Sequence, residues 1–504
     1  MESGMAALVS TAPLALIVLL MAVLRWSAAS AGLIGLVAAA AGAIGFFGFG
    51  TTIYAEQGVA GALIGTGAEA VFSTVDILWI ILPALSLYEL QQRSGAIDAI
   101  RTGLISLSSD KTLLAIVIAW FFAAFMEGAA GFGAPIALAA PLLVSLGFTP
   151  SVAVALPLIG HVAGTSFGAL GTPIFAQAEV SGISGNDIAL PTALLHASLA
   201  PLLVLAIVFI AGEGRLQVKY AVWAIAAAVC FLLPYLALAT WVGPELPTIG
   251  GALAGGAVFA FVLRRMHARQ AGPLDARSLA IAALPYAILV GLILVTRLVP
   301  QIRDPLRRAV LEWALPGPFG GRLEPLYHPG TMLLAGFTFG GLLQGCKPSD
   351  LAAAVAAAVR RLIPVAIALL AMLAIARLMV HAGMIEALAA TATRTGQAWP
   401  LLAPSVGAIG SFITGSTTVS NILLTDLQQV TAADLGLPVL ALIAAQGFGA
   451  AIGNCAALHN IITGAATVGL QGREGDILRK TGPVCLGCLV LGGILALTVA
   501  RSFP

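Results

Sequence analysis

A carboxyl group and three glycines interrupt one of the most apolar parts of the chain, the stretch FMEGAAGFGAP at residues 125–135. Charge and non-helical backbone are both costly in lipid, so ionisable residues at such places usually face an internal cavity or an ion path. Glu127 is therefore a candidate carrier of a coupling proton, because a carboxyl group removed from water favours its protonated form. The alternative stays open: the carboxylate caps free backbone N–H groups at the interruption.

A second polar run, TGSTTVSN at residues 414–421, also lies between apolar segments. Its hydroxyl and amide groups are hydrogen-bond donors that suit a carboxylate or the hydroxyl group of a hydroxy acid. The glycines of the first stretch allow the backbone to approach a ligand closely. The candidate substrate-binding residues in these two stretches are Gly128, Gly131, Gly133, Ser416, Thr417, Thr418, Ser420 and Asn421. The competing interpretation is that these small residues only allow tight helix packing.

Three further ionisable residues lie in apolar segments. His161 and His459 are candidates for proton coupling, and for each of them a purely structural hydrogen-bonding role is the alternative. Arg377 is a candidate for pairing with a substrate carboxylate. An internal ion pair of Arg377 with Glu89 or Glu386 is the alternative.

The composition shows whether the environment of these groups is water or lipid. Of the 504 residues, 60% are hydrophobic and 9% are charged, whereas soluble proteins carry about 25% charged residues. The many separate apolar runs therefore predict a polytopic helical membrane protein embedded in a lipid bilayer. The net charge of +2 gives no reason to expect a nucleic-acid partner. The CxxC of Cys485 and Cys488 lacks a second ligand pair, so we predict no metal site and no cofactor.

Several apolar runs are too short to cross a bilayer alone, and they cluster around four interruptions. These are predicted at residues 127–135, 164–173, 414–421 and 447–460. Because irregular backbone at membrane depth must be enclosed by protein or by a water-filled cavity, the four stretches should form the interior of the molecule. The second interruption adds Thr165 and Ser166 to the candidate substrate-binding residues.

Internal repetition links the interruptions in pairs. SGAIDAI (94–100) resembles AGMIEAL (382–388), Phe125 and Gly128 match Phe412 and Gly415, and GTSFGALG (164–171) resembles QGFGAAIG (446–453). The matches keep the same order, at offsets of 288, 287 and 281 residues. They predict a duplicated unit.

Basic loops orient the two copies. The loops 91–111, 264–277 and 346–361 are rich in lysine and arginine, so we expect all three in the cytoplasm and the segment 300–330 outside. The helix near 71–90 then runs inward and its counterpart near 362–380 runs outward. The fold class predicted is an all-α polytopic membrane protein of about 12–16 transmembrane or half-membrane helices, with two inverted repeats that contain broken helices or re-entrant hairpins.

Five stretches resemble the L-lactate permease family, which also contains glycolate permeases. They are LYELQQRSGAIDAIR (87–101), FMEGAAGFGAPIALAAPLLVSLGF (125–148), FGALGTPI (167–174), GSFITGSTTVSN (410–421) and GLQGREGDILRKT (469–481). The resemblance implies proton-coupled uptake of small 2-hydroxymonocarboxylates, such as L-lactate or glycolate, across the bacterial cytoplasmic membrane. The alternative is a sodium-coupled transporter or an exchanger of another small organic anion. An anion channel is a third, less favoured interpretation.

An enzyme is not expected, because Glu127, His161 and His459 form no sequence-local pattern such as HExxH or GxSxG, and no soluble domain is long enough to house chemistry. The predicted organisation is an N-terminal membrane segment (1–70), a first transport repeat (71–211), connecting membrane helices and loops (212–361) and a second transport repeat (362–504). A homodimer is left open.

Overall fold

The computed structural model describes residues 2–131, 133–267 and 275–502. Within these ranges eleven helices are long and apolar enough to cross a membrane, and three apolar helices are shorter. A single two-stranded antiparallel sheet accompanies them in the same ranges. The prediction of a polytopic helical membrane protein is thus confirmed, and the small sheet is an addition to it.

Two helices precede the first half of the molecule. Helix α1 (Glu2–Val18) continues through a π-helical turn at Leu19–Val23, and α2 (Ala28–Gly45) follows. Ser27 is the N-cap of α2, because its hydroxyl oxygen accepts a hydrogen bond from the backbone N–H of Ser30 at 3.1 Å. Such a cap satisfies one of the free N–H groups of the first turn.

The first half contains nine helices, of which α5 and α6 are joined without a break by the π-helical segment Val117–Phe122. They are α3 (Gly58–Arg93), α4 (Ala96–Ile105), α5 (Lys111–Ile116), α6 (Ala123–Ala129), α7 (Ala134–Ser145), α8 (Pro150–Gly160), α9 (Val162–Thr165), α10 (Gly168–Ser181) and α11 (Gly185–Ala211).

The connecting region holds the sheet. Its helices are α12 (Val218–Trp241), α13 (Pro247–Gly250), α14 (Gly256–Met266), α15 (Ala276–Leu298), α16 (Pro300–Arg307) and α17 (Pro329–Leu343), with β1 (Leu311–Ala314) and β2 (Gly320–Leu323) before α17. The buried Arg297 at the end of α15 pairs with Glu245 at 2.7 Å and stacks on the ring of Tyr327 at 3.7 Å. These contacts hold the segment 300–330 against the helices.

The second half repeats the order of the first. Its helices are α18 (Pro348–His381), α19 (Met384–Ala392), α20 (Trp399–Thr414), α21 (Thr417–Leu435), α22 (Val439–Asn454), α23 (Leu458–Thr467) and α24 (Glu474–Ser502). In both halves a long helix is followed by a left-handed glycine and a short helix: Gly95 (φ 74°) precedes α4, and Gly383 (φ 76°) precedes α19. These two glycines are the ones that the repeat in the sequence aligns.

Equivalent helices of the two halves run in opposite directions. Glu89, near the end of α3, pairs with Arg361, in the first half of α18, at 2.7 Å. Glu69, near the start of α3, pairs with His381 at the end of α18, also at 2.7 Å. Two contacts at opposite ends are compatible only with antiparallel helices, as an inverted repeat requires.

A re-entrant hairpin follows the short helix in each half. Hairpin 1 consists of α5, α6 and α7, and hairpin 2 of α20 and α21. Lys111 at the start of hairpin 1 lies 5.4 Å from the ring centroid of Phe148, just past its end. In hairpin 2, the side chain of Gln397 donates to the carbonyl of Leu435 at 2.9 Å. Both hairpins therefore return to the face from which they enter.

The two hairpins enter from opposite faces. Lys111 lines one cleft together with Arg479 and Lys480 of α24, and we call this side the basic face. Hairpin 2 follows the His381 end of α18 and begins on the other side, here called the opposite face. Each half packs its helices on the equivalent helices of the other half. Helix α11 packs on α22 and α24 packs on α8, while α10 packs on α21 and α23 packs on α7. The predicted inverted architecture is confirmed, whereas the four domain boundaries stay predictions.

The interruptions are shorter than the sequence indicates. Hairpin 1 is interrupted at residues 130–133 and hairpin 2 only at Gly415 and Ser416, because the hydroxyl-rich residues from Thr417 onward form the first turns of α21. Helix α22 likewise continues to Asn454 and is interrupted at 455–457. The predicted non-helical stretches 414–421 and 447–460 are therefore wrong in extent. Phe132 of the first stretch and Arg269 of the basic loop 264–277 lie outside the described residues.

Cysteine labelling can test the two hairpins. With the five native cysteines replaced, Ser145→Cys at the end of α7 should react with an impermeant thiol reagent only from the cytoplasmic side, because this residue is exposed at the basic face. Asp434→Cys near the end of α21 should react only from outside. Labelling of both variants from the same side would contradict the inverted hairpins.

Candidate functional site

The tip of hairpin 1 is formed by two left-handed glycines. Gly131 (φ 60°) and Gly133 (φ 79°) turn the chain between α6 and α7, a conformation that L side chains rarely adopt. Gly131 lies against Ala169 of α10, and Gly133 faces the methyl group of Thr463 on α23. The tip thus contacts a discontinuous helix from each half of the molecule.

Glu127 is enclosed immediately before this tip. Its side chain is 7% exposed and lies against the Cα atom of Gly168, where a methyl group would collide with carboxylate oxygen Oε1. Within the described part of the chain, its carboxyl group makes no hydrogen bond or ion pair. The alternative in which it caps backbone N–H groups therefore finds no support among those residues.

The interruption between α8 and α10 is strained. Ala169 (φ 41°) and Leu170 (φ 53°) adopt left-handed conformations, followed by Gly171 (φ 86°). Non-glycine residues in this region cost of order 1–3 kcal/mol each and cluster at functional sites. The helical part of α10 that crosses toward the opposite face effectively begins after Gly171.

The tip of hairpin 2 is a helix N-terminus. Gly415 (φ 68°) ends α20, and the hydroxyl oxygen of Ser416 accepts from the N–H of Val419 at 3.2 Å. The first N–H groups of α21 are left without partners in the helix, and the helix dipole adds partial positive charge there. The hydroxyl group of Thr418 makes no hydrogen bond in the described structure. These donors suit an anion of small size.

A polar network joins the two interruptions across the molecule. His161 on the α8 side donates through Nε2 to the amide oxygen of Asn454 at 3.2 Å, and this oxygen also accepts from Asn460 at 2.7 Å. The amide nitrogen of Asn454 donates to the carbonyl of Gly415 at 3.4 Å. His459 packs against the same glycine and is exposed. The tip of hairpin 2 and both discontinuous helices therefore meet at one place.

Other predicted residues have partners within the fold. Gly128 packs against the backbone of Ile249 in α13, so its small size serves helix packing. Thr165 donates to the carbonyl of His161 at 3.0 Å, and Thr417 donates to that of Ala450 at 3.5 Å.

Three more of the predicted residues bind neighbouring helices: Ser166 binds α11 and α22, Ser420 of α21 binds α20, and Asn421 of α21 binds α10. Ser166 bonds to His196 at 2.8 Å and donates to Gly447, Ser420 donates to the carbonyl of Gly407 at 2.7 Å, and Asn421 donates to that of Pro173 at 3.0 Å. These bonds fix the helices that surround the tips.

Arg377 lies away from the tips. Its guanidinium group pairs with Glu179 of α10 at 3.1 Å. The internal ion pair expected as its alternative role exists, but with a different partner from the two predicted, Glu89 and Glu386. Glu89 is instead held by Arg361. The sequence could not indicate Glu179, because the discontinuous helix that carries it is brought to α18 only by the fold.

The sequence profile of the L-lactate permease family matches residues 6–319 and 310–502. The chain belongs to the L-lactate permease family. It is 28% identical over 473 residues to the L-lactate permease of Bacillus subtilis, covering 83% of this chain and 84% of that protein. It is 30% identical over 494 residues to the glycolate permease GlcA of Escherichia coli, covering 88% of each. Among solved structures, the YdaH transporter of Alcanivorax borkumensis covers 88% of each chain with a TM-score of 0.48 and 16% identity.

Membership of this permease family makes the chain a multi-pass membrane transporter and not an enzyme. Several residues of the candidate site were not predicted from the sequence. Asn454, which binds His161, and Asn460, which binds Asn454, were not predicted, although two asparagines in an apolar run are an unusual feature. His196 was missed because its partner Ser166 is thirty residues away and nothing local connects them.

Substitution of Gly168 should disturb the permease through Glu127. The methyl group of Gly168→Ala meets the mobile end of the Glu127 side chain, so the carboxyl group should move while the fold persists, at a cost of no more than about 1–3 kcal/mol. We expect a lower initial rate of uptake with a nearly unchanged melting temperature. Gly291→Ala in α15, where nothing lies within 4 Å, is the control. Normal uptake by Gly168→Ala would show that the position of this carboxyl group is unimportant.

Proposed function

We propose that this chain is a proton-coupled secondary transporter that takes up small 2-hydroxymonocarboxylates, L-lactate or glycolate, across the bacterial cytoplasmic membrane. Curated relatives named L-lactate permease and glycolate permease support the substrate class. The observation that carries the proposal is the meeting of the hairpin 2 tip with both discontinuous helices at His161, Asn454 and Gly415, beside α10 and α23, which the tip of hairpin 1 contacts.

The tip of hairpin 2 is the proposed anion site. A carboxylate placed there meets the free N–H groups at the start of α21 and the unpartnered hydroxyl group of Thr418. Ser416, Thr417, Ser420 and Asn421 shape this tip, partly through their bonds within the fold. Glycines 131 and 133 of the facing hairpin let its backbone come close. The close approach of these elements favours a substrate of only a few atoms.

Two hairpins that enter from opposite faces suit alternating access. When one hairpin moves, the site opens to its face while the other hairpin still covers it. An anion channel would need a continuous open path, which two re-entrant hairpins with touching helices disfavour. We also propose that the two inverted halves, near residues 71–211 and 362–504, are the parts of the chain that carry out transport.

Glu127 is the proposed carrier of the coupling proton at the tips. Its enclosed carboxyl group is stabilised by a proton, because no positive partner accompanies it in the described structure. His161 and His459 are proposed to assist, since His161 binds Asn454 in the network at the tip of hairpin 2 and His459 packs against Gly415 at the same tip. Sodium coupling or anion exchange is the second candidate mechanism. The role of Arg377 as a partner of the substrate carboxylate stays a prediction. The formation of a homodimer also stays a prediction.

Reconstitution into liposomes tests the function directly. Labelled L-lactate and glycolate should accumulate under an inward proton gradient and not under a sodium gradient. Glu127→Gln keeps the shape of the side chain but cannot exchange a proton, so it should abolish accumulation while substrate exchange continues. Accumulation driven by sodium alone, or unaffected by Glu127→Gln, would overturn proton coupling or the role of Glu127, respectively.

Thr418→Val gives the sharpest test of the anion site. The two side chains have similar shapes, and the hydroxyl group that is lost has no partner among the residues that the structure describes. Loss of one hydrogen bond to a charged group costs about 1.5–3 kcal/mol, so the half-saturating substrate concentration should rise about ten- to a hundredfold. Thr431→Val on the same helix removes another unpartnered hydroxyl group, at a fully buried position, and is the matched control. Equal half-saturation in both variants would place the substrate elsewhere.

A further inference from the structure

A second charged cluster lies on the outer part of hairpin 2, toward the opposite face. Here α21 runs beside α10 and is tied to it by three hydrogen bonds, each one helical turn from the next. They join Asn421 to Pro173 at 3.0 Å, Gln177 to Thr425 at 3.4 Å and Gln429 to Ser181 at 3.3 Å. Asp426 follows the middle bond on α21, and Glu179 follows it on α10.

Arg377 of α18 reaches into this cluster and is only partly satisfied. One terminal nitrogen, Nη2, donates to the carbonyl and carboxylate oxygens of Glu179 at 2.8 and 3.1 Å and to the hydroxyl oxygen of Ser73 at 3.4 Å. Its Nε atom is buried and has no partner among the described residues. An arginine normally uses such donors in pairs. The side chain therefore holds an unused donor inside the protein.

Asp426 is the matching unused acceptor. Its side chain is 8% exposed, and its carboxyl group makes no hydrogen bond or ion pair with any residue that the structure describes. The charged groups whose fields reach it are Arg377, which attracts negative charge, and the exposed Glu386 of α19, which repels it. Glu69 and His381, further along α3 and α18, already bind each other at 2.7 Å.

Charge balance within the cluster requires one more positive charge. Two carboxyl groups, the buried Asp426 and the partly exposed Glu179, share a single guanidinium group. An unpaired carboxylate is costly to bury, so Asp426 is stabilised by a proton when it lacks the arginine, whereas Glu179 can stay charged in contact with water. In the arrangement seen here Arg377 is bound to Glu179, and Asp426 is the group that needs the proton.

We propose that Asp426 is the site at which the coupling proton binds from the opposite face, and that Arg377 alternates between Glu179 and Asp426 as this proton arrives and leaves. The proposal rests on the proton-coupled function proposed above and adds a binding site to it. When Arg377 turns toward Asp426, the proton is released and Glu179 loses its partner. Proton occupancy thereby changes the attraction between α18 and hairpin 2.

The cluster is mechanically connected to the anion site. Asp426 lies ten residues beyond Ser416 on the same uninterrupted helix, which corresponds to roughly 15 Å. A helix of this length moves as a rigid rod, so a change of partner at Asp426 displaces the tip as well. Substrate binding and proton binding therefore act on one mobile element.

The test compares Asp426→Asn with Asp434→Asn in proteoliposomes that contain a trapped pH indicator. Both variants remove a carboxyl group from α21, but Asp434 is exposed and outside the cluster. The side chain of Asp426→Asn is always neutral, and its shape is close to that of a protonated aspartate. It should lose proton movement and net accumulation while exchange of labelled for unlabelled substrate continues, and Asp434→Asn should behave as the wild type.

The outcomes separate this proposal from the one on which it rests. Wild-type uptake without proton movement would refute proton coupling itself. Wild-type proton movement that is unchanged in Asp426→Asn would refute only the role of Asp426, as would loss of exchange in a correctly folded Asp426→Asn protein.

A measurement on the wild type covers the case in which the variant does not fold. A hydrophobic carbodiimide reacts with protonated carboxyl groups in membranes, and mass spectrometry locates the product. Modification of Asp426 should increase as the pH outside falls, and Arg377→Gln should raise it at every pH because the competing cation is gone. Absence of modification at any pH would overturn the proposal.

Discussion

The structure depends on the absence of water from lipid, which leaves every interrupted helix with backbone groups that only protein can satisfy. Side chains from neighbouring elements supply the missing partners. Tyr235 donates to the carbonyl of Ala163 at 3.0 Å, Thr248 to that of Gly164 at 2.7 Å, Ser166 to that of Gly447 at 3.1 Å and Asn454 to that of Gly415 at 3.4 Å. Because the partners come from other helices, the interruptions must lie close together. The polar groups of the proposed binding site are therefore brought together by the need to satisfy the backbone.

The same constraint fixes where charges lie on the two long antiparallel helices. The ion pairs Glu69–His381 and Glu89–Arg361 are separated by twenty residues of α3, or roughly 30 Å, about the thickness of the hydrocarbon core. Each pair thus lies near one boundary of the membrane, where enclosure of charge is least costly. Bonds at both ends also prevent α3 and α18 from sliding along each other. These helices form a fixed frame beside the hairpins.

Much of this architecture could be predicted from the sequence, because glycines mark the positions where backbone conformation is unusual. Gly95, Gly383, Gly131, Gly133 and Gly415 all adopt left-handed conformations, and the repeat aligned the first two correctly. The extent of the interruptions could not be read in the same way, since serine and threonine serve equally in a loop and in the first turn of a helix. Asp426 was overlooked inside a span taken as apolar. Its importance follows from Arg377 and Glu179, which are distant in sequence and are brought near only by the folded chain.

The two halves are related by inversion, but their equivalent contacts differ in chemistry. Helix α10 holds α21 of hairpin 2 through hydrogen bonds, which have fixed geometry and a defined register. The equivalent contact of α23 with α7 of hairpin 1 is apolar, and Ile136 and Ala140 meet Ile461 and Ala465 there. Apolar surfaces can shift against each other at little cost, whereas a ladder of hydrogen bonds must break before its helices separate. Hairpin 1 is therefore the easier of the two to displace, and opening toward the opposite face needs an additional driving force. A change of charge beside the hydrogen-bonded ladder can supply that force, and Arg377 and Glu179 are the charged pair placed next to it.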